Sequence, residues 1–126
     1  MLGFIKVVKN LEHIKVIIVE GKEDKRQIRK IISEDVEIIC TYGTFSIEKF
    51  DDMLEKYHLD DREVYLLVDA DESGEKLRKQ LISELPHAVH IYIPEEHKEV
   101  ERTPESILAR ELLKNNIQIH SRYLLY

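Results

Sequence analysis

The chain has 126 residues, 43% of them hydrophobic, with a single cysteine and a formal net charge of -6 at pH 7. That is enough apolar material for one core, yet the longest apolar runs, such as residues 16–19, are too short to span a bilayer. The acidic balance excludes a protein that holds nucleic acid by net charge alone, and the lone Cys40 excludes an intrachain disulfide. The expectation is one cytoplasmic domain over residues 1–126, with no signal-peptide layout and a core at about 14–117.

In chain order, residues 4–8 read as a short edge strand and His13 as part of a turn. Residues 16–19 form a β-branched strand stopped by Glu20-Gly21, after which Ile28, Ile31 and Ile32 recur at helical spacing over residues 24–33. Residues 36–40 make a second strand and Gly43 a turn, and Ser46 caps a helix that buries Ile47, Phe50, Leu54 and Tyr57. The third strand, residues 64–68, is a continuous apolar run of the kind buried on both faces, and it turns abruptly acidic at Asp69, Asp71 and Glu72 before Ser73 and Gly74. A helix over about 74–85 carries Leu77, Leu81 and Leu85 and stops at Pro86. Residues 88–93 read as a fourth strand. Thr103-Pro104-Glu105 then marks a helix start, with a capping hydroxyl, a proline at the first helical position and an acid in the first turn. Leu108, Leu112 and Leu113 face the sheet in this reading, and residues 117–126 form a short strand or a docked tail.

Strands alternating with helices at this spacing imply an α/β fold of three layers: a mainly parallel sheet of four to five strands with helices on both faces. Ligands of such sheets bind at the carboxyl ends of the strands where strand order reverses. With the order 2-1-3-4, Glu20 meets Asp69 and Asp71 there. Residues two apart in an extended chain point the same way, so the two aspartates would aim at one point. Two such charges about 5 Å apart repel by about 3 kcal/mol at an effective dielectric near 20, which asks for a cation.

Carboxylates in this pattern fit magnesium, which takes one or two of them and keeps several waters. Glu20 could ligate or move protons, with Asp24 and Glu101 as additional candidates; each acid taken alone also reads as a helix cap or surface turn. Residues 22–30 carry five basic side chains against two acidic ones, so Lys22, Lys25 and Arg26 are candidates for holding phosphate, or else a solvated helix face. The acidic stretch 95–105, at the same end of the sheet, reads as a mobile, solvated loop, or else as the source of a further metal ligand or of repulsion against unsuitable substrates. Asp69-x-Asp71-x-Ser73-Gly74 copies the start of a calcium loop but has Gln80 where a bidentate glutamate belongs. The six histidines lack zinc spacing. A phospho-accepting receiver domain stays as a weaker alternative, since only Glu20 follows the first strand where that reading wants an acidic pair.

Val19-Glu20-Gly21 after strand one, Gly43 after strand two, and Asp69-Ala70-Asp71 with Gly74 after strand three make the chain resemble the Toprim superfamily. These are metal-dependent modules shared by topoisomerases, bacterial primases, recombination proteins and some nucleases. The resemblance implies a Rossmann-like fold, Glu20 as general acid or base, Asp69 and Asp71 as ligands of Mg2+ (with Mn2+ as a substitute), and Gly21, Gly43 and Gly74 as turns around the site. Within the superfamily the chain is similar to the ribonucleases that mature 5S ribosomal RNA. Glu20-Gly21-Lys22-Glu23-Asp24 resembles their opening motif, Gly74-Glu75-Lys76-Leu77-Arg78 the helix after their paired acids, and Val100-Glu101 with Pro104-Glu105-Ser106-Ile107 the approach to their last helix. It departs in having Ala70 where that family tends to have proline, and the family's C-terminal region has no counterpart in these 126 residues. The implied activity is Mg2+-dependent phosphodiester cleavage in structured nucleic acid, RNA ahead of DNA, with a basic protein partner as a companion for so acidic a chain. The alternative is a non-catalytic Mg2+-binding module that docks nucleic acid or a protein.

Overall fold

The computed structural model describes residues 14–43 and 46–124. The strand expected at residues 4–8 and the turn at His13 lie outside the described residues. Among the described residues four strands, β1 (Lys15–Val19), β2 (Val36–Cys40), β3 (Val64–Leu67) and β4 (Val89–Ile91), alternate with four helices, α1 (Lys22–Ile31), α2 (Ile47–Tyr57), α3 (Glu72–Glu84) and α4 (Glu105–Lys114). All described strand pairs are parallel, in the order β2-β1-β3-β4, so the carboxyl ends of β1 and β3 are neighbours as the strand pattern requires.

The alternation of side chains along each strand divides the core in two. Ile17, Val19, Tyr65, Leu67 and Ile91 face Ile28 and Ile31 of α1 and Leu108, Ala109 and Leu112 of α4. Val16, Ile18, Val64, Leu66 and Val68 face Phe50 of α2 and Leu77 and Leu81 of α3. The central strand β1 therefore buries both faces, which is why its sequence is an unbroken β-branched run. Each fully buried Ile or Leu contributes about 1.5–3 kcal/mol, so this double-sided burial holds the carboxyl ends of β1 and β3 in register.

Several expectations need correction. Ile47, placed on the buried face of its helix, is 74% exposed because it is the first residue of α2 and lies beyond Phe50, the residue that meets the sheet. Leu113 is 39% exposed; Leu112 beside it takes the inward position, and one residue is about 100° around a helix. Thr103 does not cap α4: its hydroxyl donates to the carbonyl of Glu99, and Pro104 stands at the N-cap. The fourth strand shrinks to three residues. The tail does both things expected of it, making one antiparallel bridge between Ile32 and Ile119 and then a docked turn over Ser121–Leu124.

Candidate functional site

At the carboxyl edge of the sheet, four carboxylates are each propped by a backbone amide. Glu20, the residue after β1, accepts a hydrogen bond from the Asp69 N–H at 2.8 Å, tying the ends of β1 and β3 together through a side chain. Asp69 accepts from the Val100 N–H at 2.9 Å. Asp24, in the first turn of α1, accepts from the Gly21 N–H at 3.0 Å. Asp71 is the N-cap of α3 and accepts from the Gly74 N–H at 2.7 Å, which starts that helix at Glu72, two residues earlier than the sequence suggested. An ionised carboxylate has about four acceptor positions, so each acid keeps capacity for a ligand.

Gly74 is indispensable to this arrangement. A Cβ there would stand 2.0 Å from the Asp69 carbonyl oxygen, well inside contact distance. Gly43 takes a left-handed backbone at φ +97°, the turn expected after β2. Gly21 sits at the N-cap of α1 with extended backbone, and a Cβ there would meet Asp24 at an ordinary 3.7 Å, so its geometry does not demand glycine.

Glu20, Gly21, Asp24, Tyr42, Asp69, Glu99 and Glu101 line one open hollow of about 450 Å³. Burial, and then the charges of Asp69, Asp71 and Asp24, raise the pKa of Glu20 against the lowering effect of its amide partner. Burial, and then repulsion from Asp71, Glu99 and Glu101, raise that of Asp69. Burial dominates at Asp24 too, whose pKa rises to about 6. Among the described residues no lysine or arginine forms an ion pair with any of these three acids or with Asp71.

The two aspartates do not share the hollow. Asp71 lines an adjoining pocket of about 230 Å³ with Ala70, Glu75, Arg78 and Tyr92. The strand has already ended at Leu67, so the alternation rule no longer governs them: Val100 pins one side chain and the start of α3 turns the other. Among the described residues no three His, Cys, Asp or Glu side chains are gathered closely enough to enclose a metal ion. The donor chemistry nonetheless fits a hard divalent cation: the acids of the hollow offer only oxygens, and magnesium needs one or two carboxylates with water completing its shell. Cys40, beside the hollow, is taken up by a hydrogen bond from its thiol to the Gly21 carbonyl at 3.4 Å.

Lys22 is exposed on the first turn of α1, Lys25 is half-buried, and Arg26 is exposed and 3.7 Å from Glu23. The acidic stretch is not the free loop that its composition suggests. The Ala70 N–H donates to the Lys98 carbonyl, Val100 is fully buried, and Glu99 and Glu101 thereby flank the hollow. Glu99 and Tyr42 were not singled out by sequence reasoning. The alternation Glu99-Val100-Glu101 and an aromatic beside a turn glycine were the available signals.

A parallel sheet of order β2-β1-β3-β4, with a glutamate closing one central strand and an Asp-x-Asp turn closing the other, defines the class: an acidic-site α/β domain whose ligand edge is the carboxyl edge. The Toprim domain family model matches residues 15–102, and the chain belongs to that family. It is 44% identical over 110 residues to the uncharacterized protein YusF of Bacillus subtilis, covering 87% of this chain and 74% of that protein. A solved structure of a small TOPRIM domain protein from Bacillus stearothermophilus superposes with a TM-score of 0.83 at 39% identity, covering 90% of this chain and 94% of the other. Ribonuclease M5 1 of Ligilactobacillus salivarius is 33% identical over 78 residues, which are 62% of this chain but only 40% of that enzyme.

Proposed function

We propose that this Toprim protein cleaves or processes phosphodiester bonds of structured nucleic acid in a Mg2+-dependent reaction, with RNA favoured over DNA. The observation that carries the reading is the shared hollow of Glu20 and Asp69, two half-buried acids joined through a backbone amide with no cationic side chain among the described residues paired to either. Asp69 and Asp71 would hold Mg2+, or Mn2+ in its place, with Asp24 and Glu101 near enough in the fold to complete the acidic lining. When bound, such an ion neutralises phosphate charge and lowers the pKa of coordinated water. Glu20, with its raised pKa, is a better proton acceptor than a free glutamate and serves as general acid or base. Lys22, Lys25 and Arg26, on the helix that begins at the hollow, would contact the phosphate backbone. The likeness to ribonuclease M5 supports RNA, and a chain of this net charge gains from a basic protein companion in the cytoplasm where such RNA resides.

The test is cleavage of end-labelled structured RNA and DNA with and without Mg2+. Glu20→Gln and Asp69→Asn are expected to abolish turnover, and activity that survives both substitutions overturns the reading. A second reading, a non-catalytic Mg2+-binding module that docks nucleic acid or a protein, is favoured by the division of Asp69 and Asp71 between two pockets. It predicts Mg2+ affinity by calorimetry with no shortening of any labelled strand.

A further inference from the structure

The carboxyl edge carries two exposed tyrosines, one at each outer strand. Tyr42 follows β2 and is 72% exposed on the rim of the acidic hollow; Tyr92 follows β4 and is 60% exposed beside Asp71. Because the sheet runs β2-β1-β3-β4, the edge reads in space as Tyr42, Glu20, Asp69 with Asp71, Tyr92. Adjacent strands are about 4.8 Å apart, so the two tyrosine positions stand about 14 Å apart with the acids between them.

Neither ring is idle surface. Tyr42 has φ +56°, a left-handed backbone that a bulky residue adopts only where its surroundings impose it. The Tyr42 N–H donates to the Glu20 carbonyl at 2.7 Å, coupling that conformation to the backbone of the site. Tyr92 is backed by the buried guanidinium of Arg78, 4.2 Å from its ring centroid, and stacks on His90 at 5.9 Å. Arg78 is itself held by His90 Nδ1 at 2.8 Å and by the Ile91 carbonyl at 2.7 Å, so the platform under Tyr92 is rigid. A lone exposed tyrosine needs no explanation. Two that flank the same acids, Tyr92 with its ring backed by Arg78 and His90 and Tyr42 with its backbone tied to Glu20, form a pattern.

We infer that Tyr42 and Tyr92 are stacking platforms for unpaired nucleobases on either side of the carboxylates, and that the strand engaged is locally single-stranded. Every base has a face that stacks on an aromatic ring, whereas bases paired inside a duplex are already stacked at 3.4 Å and cannot reach two rings about 14 Å apart. The inference rests on the proposed nucleic-acid function and narrows its substrate to splayed or looped strands.

The experiment measures binding of a labelled oligoribonucleotide, single-stranded or annealed to its complement, in Mg2+ by the full chain and by Tyr42→Ala, Tyr92→Ala, Tyr42→Phe and Tyr92→Phe, with each variant's fold checked by circular dichroism. Each alanine variant is expected to bind the single strand about five- to 150-fold more weakly, the range for one stacked base, with phenylalanine restoring it and duplex binding unchanged. Alanine variants that bind the single strand within twofold of the wild type overturn the inference while leaving the proposed function standing. Phenylalanine variants as weak as alanine also overturn it. Wild-type protein that binds neither strand overturns both.

Discussion

The two ends of the sheet treat charge in opposite ways. At the amino edge, the guanidinium of Arg62, nearly buried, donates to Glu37 at 2.6 Å, to the Ile14 carbonyl at 3.0 and 3.2 Å, and to the Tyr57 carbonyl at 3.1 Å. That buried charge has its counterpart in the chain. At the carboxyl edge, Glu20, Asp24, Asp69 and Asp71 have backbone amides for partners and, among the described residues, no cationic side chain paired to them. The amides fix where the oxygens are but supply only partial charge, so burial first, and mutual repulsion after it, raise the pKa values of Glu20, Asp24 and Asp69. The buried charge at one end is neutralised by folding. In the proposed function, the acids at the other end take their countercharge from solution.

Substitutions at each end should therefore behave differently, and the largest effect is expected at the amino edge. Arg62→Ala removes a cation that satisfies Glu37 and two carbonyls, and is expected to cost about 3–5 kcal/mol, read as a lowered urea midpoint with or without Mg2+. A loss under 1 kcal/mol would mean that Arg62 is no clamp. Gly74→Ala, at the other edge, forces a Cβ against the Asp69 carbonyl and should cost about 3 kcal/mol. Unlike Arg62→Ala, it should also weaken Mg2+ binding measured by calorimetry, since Asp69 and Asp71 lose their placement.

Asp24→Asn should do the reverse and stabilise the metal-free protein at pH 7. Its amide oxygen can still accept from Gly21, while the cost of burying a charge, and after it the repulsion from Asp69 and Glu101, disappears. The folded state holds protons on Asp24 up to about pH 6, whereas an unfolded aspartate loses them near 3.8. The stability this proton uptake contributes is thus fully present below about pH 4 and is lost as pH climbs through 6. Wild type is expected to fall relative to Asp24→Asn by about 2–3 kcal/mol between those limits, and parallel pH curves would refute the account. The smallest effect is that of Mg2+ itself. At a concentration ten times its Kd it should stabilise the wild type by about 1.4 kcal/mol above pH 6, with the increment vanishing near pH 4 and in the double variant Glu20→Gln, Asp69→Asn.

The same contrast between ends explains what could be read from residue order. The amphipathic spacing of Ile28 and Ile31, the four-residue interval between Leu77 and Leu81, and the apolar runs of β1 and β3 gave the layers directly, because burial acts on periodicity and periodicity is local. Ile47 and Leu113 misled because spacing identifies a helix face but not where along or around the helix the sheet ends. At the site, Glu20, Asp69, Asp71 and Gly74 stood out as acids and a small residue closing apolar strands. The structural part of Glu99 did not, since it depends on the hydrogen bonds that join residues 98 and 100 to the Asp69-Ala70 turn, about thirty positions away.

Taken alone, residue order determined the alternation of strands and helices, the parallel sheet and which acids follow which strand, all consequences of short-range patterning and of the few ways an apolar strand can be covered. Tertiary structure decided the rest: that Glu20 holds the Asp69 amide, that Asp71 is turned aside to cap α3, and that Tyr42 and Tyr92 bracket the acids. Those relations join residues on different strands, and carboxylate orientation depends on which distant N–H groups the packed backbone presents, a quantity that exists only once the layers have closed.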